Sequence, residues 1–251
     1  MKGLVNLGNT CYLNAALQCL LQVPALTNYF LQHDAPESEG AFSAAYRSFV
    51  RMYWTHDPRS PSVEEIHRLF VEKYPRFRGL DQQDAQEAFV CMMDMLDQNV
   101  VKCIFGGVSS QETLCPSGKS VLQEVFYSVV LYPSRDCTAL EAFEEHQKYQ
   151  TIPDYTDSTG KTHHVSVSRT VFTKLPRVLV VCFQGRMRIK VTETIHGKTL
   201  FALIAHSGTQ DSGHYVAFTK HVDTWFYKND HLVAVIPEPP EWERYYLALY
   251  K

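Results

Sequence analysis

The sequence predicts an α+β fold, in which a helical first part faces a β-rich second part across a cleft. Apolar residues recur at helical spacing over most of the first hundred or so residues. From about residue 121, short β-branched and aromatic runs are divided by Gly, Pro, Asp and Ser turns. Helices first and strands later indicate an α+β chain. We predict one domain over residues 1–251, helical to about residue 105 and β-rich from about residue 120.

The first predicted helix spans residues 11–21, directly after a polar turn that contains glycine. Its apolar residues recur every three or four positions, and Asn9 or Thr10 can cap its start. Pro24 lies just past its end, so the helix is expected to stop there. A polar loop is predicted to follow, as far as Gly40.

Three more helices are predicted in the first part of the chain. One spans about residues 42–53, and a capping-box pattern at residues 62–65 opens a second one that Pro75 ends. The third begins at Asp81 and keeps one apolar face as far as Val100. These helices would form one side of the cleft.

The second part of the chain contains a series of predicted strands and one short helix. The strands are residues 125–131, 165–171, 178–183, 200–205, 215–219, 225–227 and 232–236. A short helix is predicted near residues 140–149. The polar stretch 154–164 is predicted to be a flexible loop or the tip of a hairpin.

Composition argues against several functional classes. The net charge of −3 and the lack of a basic run argue against a nucleic-acid partner. No segment approaches the roughly 18 apolar residues of a membrane span, and the N-terminus lacks a signal-peptide apolar region. The seven cysteines form an odd set without close pairing, which predicts reduced thiols in the cytoplasm, the nucleus or both.

The residue types that nucleophilic catalysis requires occur at three places far apart in the chain. Cys11 opens a predicted helix, whose N-terminal dipole is expected to lower the thiol pKa. His214 lies in a glycine turn before a strand, and Asn229 and Asp230 follow an aromatic run. A cysteine, a histidine and an Asn or Asp in this order are typical of a papain-like thiol protease.

Three sequence blocks together resemble the ubiquitin-specific protease family of deubiquitinating enzymes. They are residues 3–14 around the cysteine, residues 79–89, and residues 206–218 with the Trp-x-x-x-Asn-Asp that follows. Residues 245–250 also look like the last strand of that family. The resemblance implies a papain-like catalytic domain, with a helical thumb and a β palm flanking the cleft and β fingers that cradle ubiquitin.

The resemblance implies a role for each matching residue. Cys11 would be the nucleophile and His214 the general base, with Asn229 orienting the imidazole and Asp230 beside it as a helper. Asn6 would help to hold the oxyanion. The reaction would be hydrolysis of the isopeptide or peptide bond after the C-terminal Gly of ubiquitin, with no cofactor.

The second block, residues 79–89, suggests how the C-terminal tail of ubiquitin is recognised. That tail ends in Leu-Arg-Leu-Arg-Gly-Gly, so its reader needs carboxylates for the arginines and a slot that admits only glycine. Asp84 and Glu87 share one face of the predicted helix and match the tail-contacting acids of the family. Gln82, His206 and Tyr215 match positions that line the tail channel.

The metal site of the family is the clearest departure. Family members usually carry two Cys-x-x-Cys pairs that hold zinc at the fingertips. Between residues 114 and 170 this chain has only Cys115 and Cys137, and neither has ligand spacing. The adjacent His163 and His164 favour an exposed loop. We therefore predict no metal, with fingers that are reduced or held by the sheet alone.

Two further departures leave alternatives open. Lys228 occupies a position where the family usually has an aromatic residue, and the loop after residue 183 is short. These departures could misalign the catalytic residues, so the chain could be a catalytically weak pseudoenzyme that binds ubiquitin. Another modifier that ends in Gly-Gly is also an open alternative, because such tails share arginine and glycine with that of ubiquitin. A general papain-like peptidase would leave the acidic block unexplained. The expected partners are conjugates of ubiquitin or of a related modifier, bound by a monomer.

Overall fold

The computed structural model describes residues 1–36, 38–56, 59, 61–79, 81–208 and 213–251. The helices within these ranges are α1 (Cys11–Leu20), α2 (Pro24–Gln32), α3 (Ala41–Trp54), α4 (Glu64–Lys73), α5 (Ala85–Met95), α6 (Gln98–Phe105) and α7 (Ala139–Glu145), with a 3-10 helix at Pro75–Phe77. The strands are β1 (Gly107–Cys115), β2 (Gly118–Phe126), β3 (Val129–Leu131), β4 (Cys137–Thr138), β5 (Gln150–Thr156), β6 (Thr162–Lys174), β7 (Leu179–Phe183), β8 (Ile189–Lys190), β9 (Thr194–Ile195), β10 (Lys198–Gly208), β11 (Gly213–His221), β12 (Thr224–Asn229), β13 (Leu232–Ile236), β14 (Trp242–Glu243) and β15 (Tyr245–Tyr250).

The loop predicted between the first helix and Gly40 is wrong over about half of its length, because α2 occupies residues 24–32. Pro24 lies beyond the end of α1, as predicted, and it is also the first residue of α2. Proline suits this position, since its fixed φ is helical and the missing N–H would have no helical partner there. The same residue therefore separates two helices and starts the second.

The single long helix predicted from Asp81 is two helices. Asp84 caps α5, where its Oδ1 accepts from the backbone N–H groups of the second and third helical residues. Leu96 is extended, with ψ of 172°, and ends that helix. Asp97 then caps α6 in the same way. The apolar positions keep a helical period across residues 96 and 97, so periodicity alone did not reveal the break. The signal for a second helix is Asp97, a residue type that often caps a helix start.

The two capping-box patterns in the sequence behave differently. At the start of α4 the N-cap is Val63, and Ser62 Oγ only accepts from the backbone N–H of Glu64, at 3.2 Å. The predicted capping box is therefore wrong. At the start of α7, Thr138 and Glu141 form the reciprocal pair of bonds. A capping box needs an extended N-cap residue, and that condition is met only at Thr138.

An eight-stranded sheet forms the centre of the molecule. Along its main path the strand order is β13-β12-β11-β10-β15-β7-β3, and β9 pairs with the outer part of β10. The pairs are antiparallel except β3 with β7. α1 packs against β10, β11 and β12, and all of its residues are buried. The helix that carries Cys11 is thus the one most closely attached to the sheet.

Both faces of this sheet are covered, so the sequences of its middle strands are continuous runs of apolar residues. In β7, Val180 and Cys182 pack against the helical side, whereas Leu179, Val181 and Phe183 pack towards α7. This alternation is the period of two that a strand imposes on its side chains. The sheet therefore separates two hydrophobic cores, one against the helices of the first part and one on the side of α7.

A separate four-stranded sheet, in the order β2-β1-β6-β5, corresponds to the predicted fingers. Sequence patterns did not predict β1, β2 and β5, because these strands are rich in Ser, Thr, Gln and Glu. In addition, β2 is exposed along almost its whole length. The predicted strand 125–131 is split, since β2 ends at Phe126 and β3 begins at Val129. Residues 157–161 form the tip of the β5–β6 hairpin, as one of the two predicted alternatives had it. In the described part of the chain, no helix is both long and apolar enough to span a membrane.

Candidate active site

The turn before α1 fixes where Cys11 lies. Gly8 and Asn9 have φ of 102° and 51°, in the left-handed region. The side-chain oxygen of Asn6 accepts from the backbone N–H groups of Gly8, at 2.9 Å, and of Thr10, at 3.1 Å. These bonds hold the turn closed and make Cys11 the first residue of the helix. Cys11 is only 3% exposed.

The thiol of Cys11 is neutral in the resting structure. Burial raises its pKa, and the negative charge of Asp230 acts in the same direction. A hydrogen bond from the backbone of Tyr215 lowers the pKa, but it does not outweigh the burial. The predicted lowering by the helix N-terminus is therefore wrong in its net direction. The Tyr215 contact also places the sulfur beside the strand that carries His214.

The imidazole of His214 is oriented by Asn229, as the sequence predicted. His214 Nε2 lies 2.7 Å from Asn229 Oδ1, between β11 and β12. Asn229 Nδ2 donates to the hydroxyl of Tyr227 at 3.2 Å, which leaves its oxygen as the acceptor for the ring. The ring proton is therefore on Nε2, so Nδ1 is the nitrogen able to accept a proton.

Asp230 serves the cysteine side of the site instead of the imidazole. Its two carboxylate oxygens accept from Asn6 Nδ2, at 2.9 Å, and from Asn14 Nδ2, at 2.8 Å. Its own carbonyl accepts from the backbone N–H of Leu4, also at 2.8 Å. The structure thus contradicts the predicted role of Asp230 as a helper of His214. Since an amide nitrogen carries two hydrogens, Asn6 keeps one donor for an oxyanion.

Four of the five predicted substrate-binding residues line one cavity of about 290 Å³, namely Gln82, Asp84, His206 and Tyr215. His206 and Tyr215 lie directly opposite each other on β10 and β11, and their ring centroids are 4.4 Å apart. Burial is the main cause that lowers the pKa of His206, which keeps its ring neutral near pH 7. The walls of the cavity are therefore mixed, with the rings of His206, Tyr215 and Tyr246 beside polar side chains that include the carboxylate of Asp84 and the guanidinium groups of Arg186 and Arg244.

The two predicted tail-contacting acids do not form a pair on one helix face. Asp84 precedes α5 as its N-cap, and its second carboxylate oxygen accepts a hydrogen bond from the hydroxyl of Tyr246. Glu87 is absent from the residues that line the cavity. It forms a half-exposed ion pair with Arg76, with an N···O distance of 2.6 Å. The helix starts later than predicted, and this separates the two carboxylates.

Sequence reasoning missed several residues that line the same cavity. Tyr246 packs edge-on against Tyr215, with ring centroids 5.6 Å apart, and holds Asp84. Arg244 also lines the cavity and donates to the carbonyl of Gly208 at 3.0 Å. One signal was available, because two adjacent tyrosines in a strand must point to opposite faces. One of them, Tyr245, is buried in the core, so Tyr246 had to face the cleft.

The fingertip groups Cys115, Asp157 and His163 lie together, with one ligand-type atom from each within 4.8 Å of the others. His163 is 5% exposed, so the predicted exposed position is wrong for it, whereas the side chain of His164 is 91% exposed. His163 Nε2 already lies 2.8 Å from Asp157 and 3.0 Å from Ser117 Oγ. Three donors, two of them bonded to each other, fall short of the four that a structural zinc requires.

Lys228 does not disturb Asn229, although it replaces the aromatic residue usual in the family. Its side chain is 2% exposed and points away from the Asn229 amide. Its Nζ donates to Gln18 Oε1, at 2.7 Å, and to the hydroxyl of Tyr53, at 3.0 Å. Burial lowers its pKa to about 7.

Comparison with solved structures supports the fold. The SAGA DUB module Ubp8/Sgf11/Sus1/Sgf73 bound to monoubiquitin contains a chain that matches with a TM-score of 0.86. The match is 20% identical in sequence and covers 100% of this chain and 68% of that one. The module bound to ubiquitin aldehyde gives a TM-score of 0.83 at 19% identity, over 100% of this chain and 69% of that one. The predicted papain-like α+β fold is therefore confirmed.

Comparison with protein sequences identifies the family. "Ubiquitin carboxyl-terminal hydrolase nonstop" of Drosophila melanogaster is 23% identical over 94% of this chain and 64% of its own length. "Ubiquitin carboxyl-terminal hydrolase 2" of Bos taurus is 35% identical over 45% of this chain and 20% of its own length. The chain thus spans less than two thirds of either relative. The sequence model of the family described as "Ubiquitin carboxyl-terminal hydrolase" matches residues 2–198 and 188–250. The chain therefore belongs to the ubiquitin carboxyl-terminal hydrolase family.

Proposed function

We propose that this protein is a thiol-dependent deubiquitinase, which hydrolyses the isopeptide or peptide bond after the C-terminal Gly of ubiquitin. The observation that carries the proposal is the bond of 2.7 Å between His214 and Asn229, on strands packed against the helix that begins with Cys11. Membership of the family and the ubiquitin-bound state of the structural relatives support ubiquitin as the modifier.

The reaction begins from a neutral thiol. His214 Nδ1 accepts the proton of Cys11 as the sulfur attacks the carbonyl carbon of the terminal glycine. Negative charge then develops on the carbonyl oxygen, where the free N–H of Asn6 and the backbone N–H of Cys11 stabilise it. The imidazolium protonates the leaving amine, and a water activated by the same ring hydrolyses the thioester. Asn229 holds the ring in the tautomer that both steps require.

The cavity lined by Asp84, His206 and Tyr215 receives the tail of the modifier. The rings of His206, Tyr215 and Tyr246 would flank the Gly-Gly segment, while Asp84 offers a carboxylate to an arginine. Tyr246 must then share or release its bond to that carboxylate. The proposal extends to a monomeric enzyme in the cytoplasm or nucleus, and the seven free cysteines support a reducing compartment. Light scattering would test the monomer, and imaging of a tagged protein would test the location.

A ubiquitin that carries an electrophile at its C-terminus tests the function directly. The wild-type protein is expected to form a covalent adduct under reducing conditions, and Cys11→Ser is expected to form none. The same electrophile on another modifier that ends in Gly-Gly serves as the comparison. A faster reaction with that probe would reassign the substrate. Tight binding of ubiquitin without any adduct would instead support a pseudoenzyme.

A further inference from the structure

Lys228 is a buried amine without an anionic partner. Its Nζ bonds only to Gln18 and Tyr53, and no carboxylate is among its hydrogen-bond partners in the described ranges. The titratable groups nearest to it are Cys19 on α1, Tyr53 on α3 and His221 on β11. Burying a charge without an opposite charge is unfavourable for folding. A role other than stability is therefore needed to account for this lysine.

The position of Lys228 next to Asn229 suggests that role. Asn229 and Tyr227 bond to each other on one face of β12, and Lys228 points to the other face, towards α1. On the far side of Asn229, Asp230 also bonds to α1, through Asn14. The residues on both sides of the imidazole-orienting amide are thus attached to the nucleophile helix.

The two attachments match in spacing. Asn14 and Gln18 are four residues apart on α1, about 6 Å along its axis. Between Lys228 and Asp230 lies Asn229, the last residue of β12, so their Cα atoms are about 6.6 Å apart, and Asp230 itself begins the turn to β13 with φ of 50°. The two side-chain bridges, of 2.8 and 2.7 Å, thus join α1 to the residues on both sides of Asn229. We call these four residues the α1–β12 clamp.

We propose that Lys228 is a positioning residue. It fixes the position of α1 along its own axis and its rotation relative to β12, and thereby the position of Cys11 relative to Asn229. This proposal rests on the proposed function, since it assigns a role within that chemistry. Gln18 lies two turns beyond Cys11 on nearly the same side of α1, about 10 Å along the axis. A shift at Gln18 is therefore transmitted to the sulfur by a rigid helix, and a misplacement of about 1 Å can reduce the rate about 100-fold.

Lys228→Met tests the clamp, because methionine has similar length and no donor. With a ubiquitin–fluorophore conjugate, we expect kcat to fall roughly 30- to 100-fold and KM to stay within about twofold, since the clamp does not line the tail cavity. The melting temperature should stay the same or rise, because an uncompensated charge has been removed. Lys198→Met is the matched control, since this lysine on β10 donates to the carbonyl of Arg177. It should leave kcat unchanged.

A double-mutant cycle separates the clamp from general packing. Lys228→Met and Gln18→Met should each lower kcat, and Gln18→Met also removes the bonds of Gln18 to the Lys2 carbonyl and the Tyr53 hydroxyl. The double variant should be little worse than the more damaging single one, because both variants remove the bond between Lys228 and Gln18. Additive losses would overturn the proposal. So would a folded Lys228→Met protein with kcat within twofold of wild type. If Lys228→Met does not fold, Gln18→Met alone is held to the same prediction.

A readout that needs no ubiquitin distinguishes the clamp from the proposed function. The rate of Cys11 alkylation by iodoacetamide should change at least threefold in Lys228→Met and not in Lys198→Met. If wild type fails to cleave ubiquitin while alkylation still responds to Lys228, the proposed function fails and the clamp stands. If wild type cleaves ubiquitin and neither alkylation nor kcat responds to Lys228, the clamp is overturned.

Discussion

The cysteine side and the histidine side of the cleft hold their reactive groups in opposite ways. Cys11 is buried and neutral, and the residues around it bond to one another through Asp230. His214 is half-buried, and one bond to Asn229 fixes its ring. In the proposed reaction the base is thus prepared in advance, whereas the nucleophile is activated only as it reacts. The contrast predicts that the cysteine side depends on a network and the histidine side on a single contact.

Loss of the Asn6 amide should have the largest effect of the four changes that test this contrast. Asn6→Ala removes the oxyanion donor and two acceptor contacts that close the turn before Cys11. We expect kcat to fall about 10²- to 10³-fold, the usual result of losing one oxyanion donor. The exposed helical amide of Asn28 provides the control, since Asn28→Ala should leave kcat unchanged. A loss below tenfold would remove Asn6 from the oxyanion site.

Loss of the Asn229 amide should follow in size. Asn229→Ala leaves His214 free to rotate and to change tautomer, so kcat should fall about 100-fold with little change in KM. Tyr227→Phe removes only the hydroxyl that accepts from Asn229, and the loss there should be less than about fivefold. Equal losses in the two variants would contradict the single-contact description of the histidine side.

The buried lysine should make stability depend on pH. The pKa of Lys228 is lowered to about 7, so between about pH 7 and pH 10 the unfolded chain binds a proton that the folded protein does not. The contribution of Lys228 is therefore least favourable below pH 7 and improves as pH rises, by up to about 1.4 kcal/mol per pH unit. Urea unfolding of wild type and Lys228→Met at pH 7, 8 and 9 measures the difference. A constant difference would show that the lysine stays charged in the fold.

The smallest effect should come from the surface acid outside the cavity. Glu87 pairs with exposed Arg76, and exposed ion pairs contribute about 0.2–1 kcal/mol. Glu87→Gln should change KM for a ubiquitin substrate by less than about fivefold, the limit that such an energy sets. Asp84→Asn is the comparison, because Asp84 lines the cavity and should raise KM more. A larger effect of Glu87→Gln would restore it as a tail-contacting acid.

Local sequence patterns predicted the parts of the fold that local physics decides. The helix from Cys11 has a turn before it and an apolar period within it, and α1 begins at that residue. The strands of the central sheet are rich in Val, Ile, Leu and aromatics, and β7, β10, β11, β12 and β13 overlap the predicted segments. The division into thumb and palm, and the extent of one catalytic domain over residues 1–251, stay predictions.

Long-range contacts account for most of what the sequence could not supply. Asp230 lies next to Asn229 in the chain, yet its carboxylate bonds across the fold to Asn6 and Asn14. No local pattern shows whether this carboxylate bonds to His214 or to Asn6 and Asn14. Glu87 shows the opposite failure, since its predicted partner was an arginine of ubiquitin and its partner here is Arg76. In both cases the residue type was informative, but the partner was set by tertiary packing.

The buried state of Cys11 has a consequence for oxidative stress. Peroxide attacks thiolates much faster than protonated sulfhydryls, and attack also needs access to the sulfur. At 3% exposure and with a raised pKa, this sulfur is a poor target while no substrate is bound. Inactivation by hydrogen peroxide should therefore be slow at rest and should accelerate during turnover, when the sulfur is deprotonated.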